Sequence, residues 1–143
     1  MNQISRIVVG LDASPNARRA AEWAAGLAQN TGAHVVAVHA LGLLTPDEHG
    51  VAVPSHGLRA TLAAKLEGEW CAPFAEAGVT PECLVLDGSP VSVVLKAAAD
   101  QHADLIVVGS RGMGGFPELL LGSTSTQVAQ HSKCPVLIVP FDT

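Results

Sequence analysis

Four glycines fall within the seven residues Gly109-Ser110-Arg111-Gly112-Met113-Gly114-Gly115, and the chain then reads Gly122-Ser123-Thr124-Ser125-Thr126. A glycine-rich turn lets backbone N–H groups approach phosphate oxygens with no Cβ in the way. A helix opening at Gly122-Ser123 adds unpaired N–H groups, hydroxyls and the positive end of the helix dipole. The chemistry on offer is therefore anion binding, of a phosphate above all. A connection whose glycines only satisfy left-handed turns is the competing reading, and the hydroxyl residues crowded at the helix start weigh against it. The pattern is not a Walker A loop, because no Gly-Lys-Ser/Thr occurs, and not a dinucleotide fingerprint, which would follow the first strand. Nor does it fit a phosphoacceptor receiver: no second acidic residue stands beside Asp12, and no lysine follows the fifth strand.

These residues need a scaffold, and the chain supplies one by alternation. Five runs read as strands: Ile4 to Gly10, His34 to Leu41, Glu82 to Asp87, Asp104 to Gly109 and Pro135 to Pro140. Ile7-Val8-Val9, Val35-Val36-Ala37-Val38, Leu105-Ile106-Val107-Val108 and Val136-Leu137-Ile138-Val139 are unbroken aliphatic stretches, as expected for strands covered on both faces. Between them, Ser14-Pro15 starts a helix whose face carries Ala17, Ala20, Ala21, Ala24, Leu27 and Ala28 until Gly32. A second helical stretch, roughly Ser55 to Ala77, carries Leu58, Leu62, Leu66 and Trp70 at fourfold spacing, with Pro73 expected to bend it or begin its last turn. Ser89-Pro90 starts a third, and a fourth runs from near Ser123 to before Pro135. The order predicts an α/β fold with a mostly parallel sheet and helices on both faces. Residues 42–54, with Pro46, His49, Gly50 and Pro54, read as an irregular loop near a site. Sheets of this kind bind ligands beyond the C-terminal ends of their strands, where the strand order reverses. The segments after strands one and four, at Asp12 and at Gly109, are therefore the ones to watch.

Composition narrows the partners. A length of 143 residues with no internal repeat or boundary suits one domain spanning 1–143, able to bury about two-thirds of its unfolded surface without disulfide or metal. Hydrophobic residues at 48% against 15% charged exclude a disordered chain. A formal net charge of −5 argues against nucleic acid as a partner. Cys71, Cys83 and Cys134 are odd in number and far apart in sequence, so reduced, partly buried thiols are expected. No apolar run reaches the length of a membrane span, and Ile7 to Leu11 is too short for a signal peptide, so no membrane contact and a cytoplasmic location are expected.

The spacing Gly109-x2-Gly112-x9-Gly122-Ser123 closely resembles the nucleotide-binding signature of the universal stress protein family. The likeness continues in Ile7-Val8-Val9-Gly10-Leu11-Asp12-Ala13-Ser14, Ala21-Glu22-Trp23-Ala24, Val38-His39-Ala40, Gly88-Ser89-Pro90, Ala103 to Gly109 and Cys134 to Val139. It implies an open parallel five-stranded sheet of order 3-2-1-4-5, Rossmann-like and similar to the adenine nucleotide alpha hydrolases. It further implies that the chain binds ATP, or ADP or AMP, with Mg2+ as a helper, as a nucleotide-loaded switch or sensor in stress response. Asp12 would lie beside the nucleotide, the backbone of Ala40 would contact adenine, Gly109 would adjoin the ribose, and Val108 would belong to the same nucleotide-binding set. Gly112, Gly122, Ser123 and Thr124 would hold the phosphates, with Arg111 as the nearby cation. The stretch 113–121 lacks the basic residue that such loops often carry and has Glu118 instead, which leaves ADP or AMP as competitors of ATP. Family members commonly dimerise through the last strand, so a homodimer through residues 135–140 is implied.

Simpler roles stand beside these. Asp12 also suits a strand end or a helix cap. His39 reads as a packed, hydrogen-bonded histidine, because no carboxylate partner can be named for it. His34, His49, His56, His102 and His131 show no ligand spacing, and Met113 and Phe116 suit either a lid over the nucleotide or packing on the last helix. No nucleophile and base can be paired among Ser14, Ser110 and Ser123, so no catalytic residue is assigned and efficient catalysis is not expected. Slow ATP hydrolysis and a nucleotide-independent dimeric interaction module remain the alternatives.

Overall fold

The computed structural model describes residues 3–41, 44–46, 52–54, 56–111 and 121–141. In chain order the elements are β1 (Arg6–Gly10), α1 (Pro15–Thr31), β2 (His34–Leu41), β3 (Leu44–Pro46), β4 (Ala52–Pro54) and α2 (His56–Lys65). A π-helical turn (Leu66–Trp70) leads into α3 (Ala72–Glu76), followed by β5 (Glu82–Asp87), α4 (Pro90–Asp100), β6 (Leu105–Gly109), α5 (Ser123–His131) and β7 (Val136–Val139). Five strands form one all-parallel sheet in the order β5-β2-β1-β6-β7, which is 3-2-1-4-5 when they are counted along the chain.

The aliphatic runs are continuous because successive side chains of a strand enter two different cores. Ile7 and Val9 point into one layer with Val35, Ala37 and Val107, under α1 and beside Leu66 and Phe74. Val8 points into the other with Val36, Val38, Ile106 and Val108, under α4 and Val128 of α5. Six alanines of α1 between Ala17 and Ala28 are buried, so small side chains line its sheet-facing side. Ser14 caps α1 by accepting from Ala17 N at 3.1 Å, Pro15 occupies the first turn, and Gly32 closes the helix at φ 75°. Ser89 repeats this device for α4, accepting from Ser92 N at 3.2 Å.

Two stretches differ from the sequence expectation. Residues 42–54 are not wholly irregular: β3 and β4 pair antiparallel, Leu44 with Pro54 and Pro46 with Ala52. The second helical stretch is broken into three pieces, and Pro73 sits in the first turn of α3, where its missing N–H costs nothing. The fourfold spacing of Leu58, Leu62, Leu66 and Trp70 is longer than the α-helical period of 3.6. A wider π turn at Leu66–Trp70 takes up the difference and keeps Leu66 fully buried.

Candidate functional site

The strand order reverses between β1 and β6, whose C-terminal ends lie side by side. Leu11 N donates to Val38 O at 2.9 Å, carrying the β1–β2 pairing past Gly10. Asp12 then closes a tight turn, its Oδ1 accepting from Ser14 N at 2.8 Å. Asp12 thus does not cap α1 itself but holds the amide of Ser14, the residue that does, while its Oδ2 makes no hydrogen bond among the described residues.

That turn delivers Asn16 into the first turn of α1 with only 1% of its surface exposed. Asn16 Nδ2 donates to the carbonyls of Val139 (3.1 Å) and Pro140 (3.3 Å). Its Oδ1 accepts from Arg111 N (2.7 Å) and Ser110 Oγ (3.2 Å). Two donors and two acceptor sites are all used, and the carbonyls on one side and the Arg111 amide on the other fix which way the amide points. Asn16 thus ties the start of α1 to the exits of β6 and β7. Nothing in the motif singled it out, although the sequence held a signal: Asn16 stands one turn before Ala20, Ala24 and Ala28, a polar residue in register with an apolar stripe.

The glycines respond to this packing. A Cβ on Gly109 would lie 2.9 Å from Asn16 Cγ and 3.1 Å from Asn16 O, so the close approach demands glycine there. A Cβ on Gly122 would lie 3.2 Å from Ser110 O. Neither has a positive φ, so left-handed turns do not explain them. Ser110 is buried, and its carbonyl accepts from both Gly122 N (2.5 Å) and Ser125 Oγ (2.8 Å), fastening the start of α5 to the end of β6. Its hydroxyl meanwhile accepts from Phe141 N at 3.1 Å.

The four hydroxyl residues at the helix start separate into two pairs. Ser125 and Thr126 turn back to the Gly122 carbonyl at 3.1 and 2.9 Å and serve the fold. Ser123 and Thr124 make no such bond, and Gly122 supplies no side-chain cap. The amides of Ser123, Thr124 and Ser125, as first-turn donors, have no acceptor among the described residues. A fixed helix terminus whose first-turn amides have no acceptor among the described residues, with two hydroxyls beside them, has the chemistry that favours an anion.

The other expected residues are placed as follows. Val108 is 4% exposed with its side chain in the α4 and α5 layer, so only its main chain can face a ligand. Ala40 lies on β2 opposite Leu86 of β5. Its neighbour His39 is packed and hydrogen-bonded: Nδ1 donates to Leu11 O at 2.8 Å, and the ring meets Trp70 edge-on at 4.9 Å. Arg111 lays its guanidinium over the Phe141 ring, 4.1 Å from the centroid. Gly112, Met113, Phe116 and Glu118 lie outside the described residues. Gly109 and Arg111 thus lie against Asn16, Gly122 joins them through Ser110 with Ser123 next in the chain, Asp12 stands in the turn before Asn16, and Ala40 is one strand away.

The sequence model of the Universal stress protein family matches residues 3–140. The chain belongs to the universal stress protein family. A universal stress protein of Thermus aquaticus is 40% identical over 136 residues, covering 93% of this chain and 96% of that one. Universal stress protein YxiE of Bacillus subtilis is 32% identical, covering 94% and 98%. Among solved structures, a universal stress protein in complex with cAMP is 30% identical with a TM-score of 0.74, covering 96% and 98%. A universal stress protein from Archaeoglobus fulgidus shares the fold at a TM-score of 0.72, covering 96% and 94%, with 23% identity.

In this universal stress protein, Asn16→Ala removes the Arg111 amide's bond to Asn16 Oδ1 and one of two donors from each strand-exit carbonyl, Val139 O keeping Ser110 N and Pro140 O keeping Arg19. The expected cost is more than about 2 kcal/mol in urea unfolding, well above that of an exposed Asn→Ala change. A cost under about 0.5 kcal/mol would show that the network carries no weight.

Proposed function

We propose that this universal stress protein binds an adenine nucleotide beyond the C-terminal ends of β1 and β6, with ATP, ADP or AMP as ligand, and works as a nucleotide-loaded switch. The observation that carries this reading is the start of α5, where three amides without an acceptor among the described residues and the Ser123 and Thr124 hydroxyls are held in place through Ser110. The relative solved with cAMP, at 30% identity over nearly the whole chain, favours an adenine nucleotide over other anions.

In this reading Gly122, Ser123 and Thr124 hold the phosphates together with Gly112, and Arg111 adds the positive charge. The main chains of Val108 and Gly109 lie by the ribose, and that of Ala40 by the base. Asp12, already fixed through Oδ1, keeps Oδ2 for the ligand or for a Mg2+ that accompanies the phosphates. The chain's own groups bind and orient the nucleotide, and the switch is the difference between loaded and empty states. Among the described residues β7 pairs only with β6, and its aliphatic outer edge has no strand partner, which supports a homodimer through antiparallel pairing of residues 135–140.

Calorimetric titration of the purified protein with ATP, ADP and AMP is expected to show saturable binding. Gly122→Val, whose side chain would crowd Ser110 O, is expected to weaken it at least about tenfold, roughly the 1.4 kcal/mol of one good charge-assisted contact. No heat with any of the three, together with no nucleotide released on denaturation, would sink the proposal. Sedimentation at micromolar concentration is expected to show a dimer, and a purely monomeric profile would contradict the pairing of β7.

A further inference from the structure

Cys71 lies between the π turn and α3, and Cys83 is the second residue of the edge strand β5. They stand 12 residues apart in sequence, yet their sulfurs are 3.7 Å from one another. Cys71 is buried, and Cys83 is half-buried at the margin of the layer beneath α1. The segment between them is held firmly. Val79 N donates to Phe74 O at 2.8 Å, Gly78 turns the chain at φ 72°, and Gln29 Nε2 donates to Ala77 O at 3.2 Å. The third thiol, Cys134, has Ser132 Oγ at 3.6 Å and no thiol neighbour among the described residues.

The two thiols are not equivalent. The hydrogen bond between the two sulfurs draws Cys83 below the usual thiol range even though burial and the carboxylates of Glu67 and Glu82 push the other way. Cys71 is pushed up, first by that same hydrogen bond and then by burial. When the pair gives up a proton, the charge therefore falls on Cys83, the more accessible sulfur, and the remaining proton stays with Cys71.

We propose that Cys71 and Cys83 form a peroxide-responsive dithiol that closes to an intramolecular disulfide. The Cys83 thiolate attacks one oxygen of hydrogen peroxide; the S–O bond forms as the O–O bond breaks, giving Cys83 sulfenic acid and hydroxide. The Cys71 sulfur then attacks the Cys83 sulfur. The S–S bond forms, the S–O bond breaks, and the departing hydroxyl leaves as water with the Cys71 proton. Two thiols are oxidised by two electrons, and one peroxide is reduced to two waters. Closure shortens the sulfur separation from 3.7 Å by about 1.7 Å, within reach of side-chain rotation. The bond would pin the end of the π turn to β5, next to Trp70 and the His39 ring it touches.

The test is peroxide treatment of the full chain, alkylation of remaining thiols and peptide mapping without reductant. The expected map shows a peptide pair joined through Cys71 and Cys83, lighter by two hydrogens, with Cys134 still alkylated. In Cys71→Ala the sulfenic acid should accumulate on Cys83 and be trapped by dimedone, whereas Cys83→Ala should leave Cys71 alkylated. The wild-type map decides the matter even where a variant folds poorly. Alkylation of both Cys71 and Cys83 at a peroxide dose that oxidises Cys134, or linkage only through Cys134 or between chains, would overturn the proposal.

Discussion

Four hydrogen bonds converge on the buried side-chain amide of Asn16, and the C-terminal ends of β6 and β7 are held to the first turn of α1 through them. A buried amide is tolerated only when its donors and acceptors are paired, and here the Val139 and Pro140 carbonyls, the Arg111 amide and the Ser110 hydroxyl meet both conditions. The consequences spread outward. Gly109 must lack a Cβ so that Asn16 can lie against it, and Ser110 must turn inward to reach the Asn16 oxygen. Once Ser110 is fixed, its carbonyl positions Gly122 and Ser125, and so the start of α5. The first-turn amides of Ser123 and Thr124 are thus positioned by an asparagine on a different helix.

Much of the scaffold could be read from residues whose causes are local. Ser14-Pro15 and Ser89-Pro90 announced α1 and α4 because an oxygen cap and a first-turn proline act within one turn. The aliphatic runs announced strands because burial on both faces leaves no alternation. The pair β3 and β4 escaped notice because three residues, one of them proline in each strand, are too few to show a period. Asn16 escaped notice because its partners, Arg111 and Val139, are about a hundred residues away and meet it only through strand order. The same is true of Cys71 and Cys83, whose proximity depends on where α3 returns the chain to β5. Of the motif itself, the glycines were legible as glycines but their reason was not: close approach to Asn16 and Ser110 explains Gly109 and Gly122 better than turn conformation does.

The acidic balance of −5 is compatible with an anion site of this construction. Backbone amides and a helix terminus contribute no formal charge, so a phosphate can be held without the cations that nucleic acid would require. Arg111, stacked on Phe141 and tied to Asn16 through its amide, belongs to the same framework. Binding at such a site depends on how rigidly the amides are presented, which returns the matter to Asn16.

The most direct measurement is a titration followed amide by amide in a 15N-labelled sample, with AMP or ATP compared against adenosine. The account predicts that the Ser123 and Thr124 amides move strongly with the phosphorylated ligands and little with adenosine, while the Asn16 side-chain amide stays in place. Saturation by AMP or ATP that leaves Ser123 and Thr124 unmoved would contradict it.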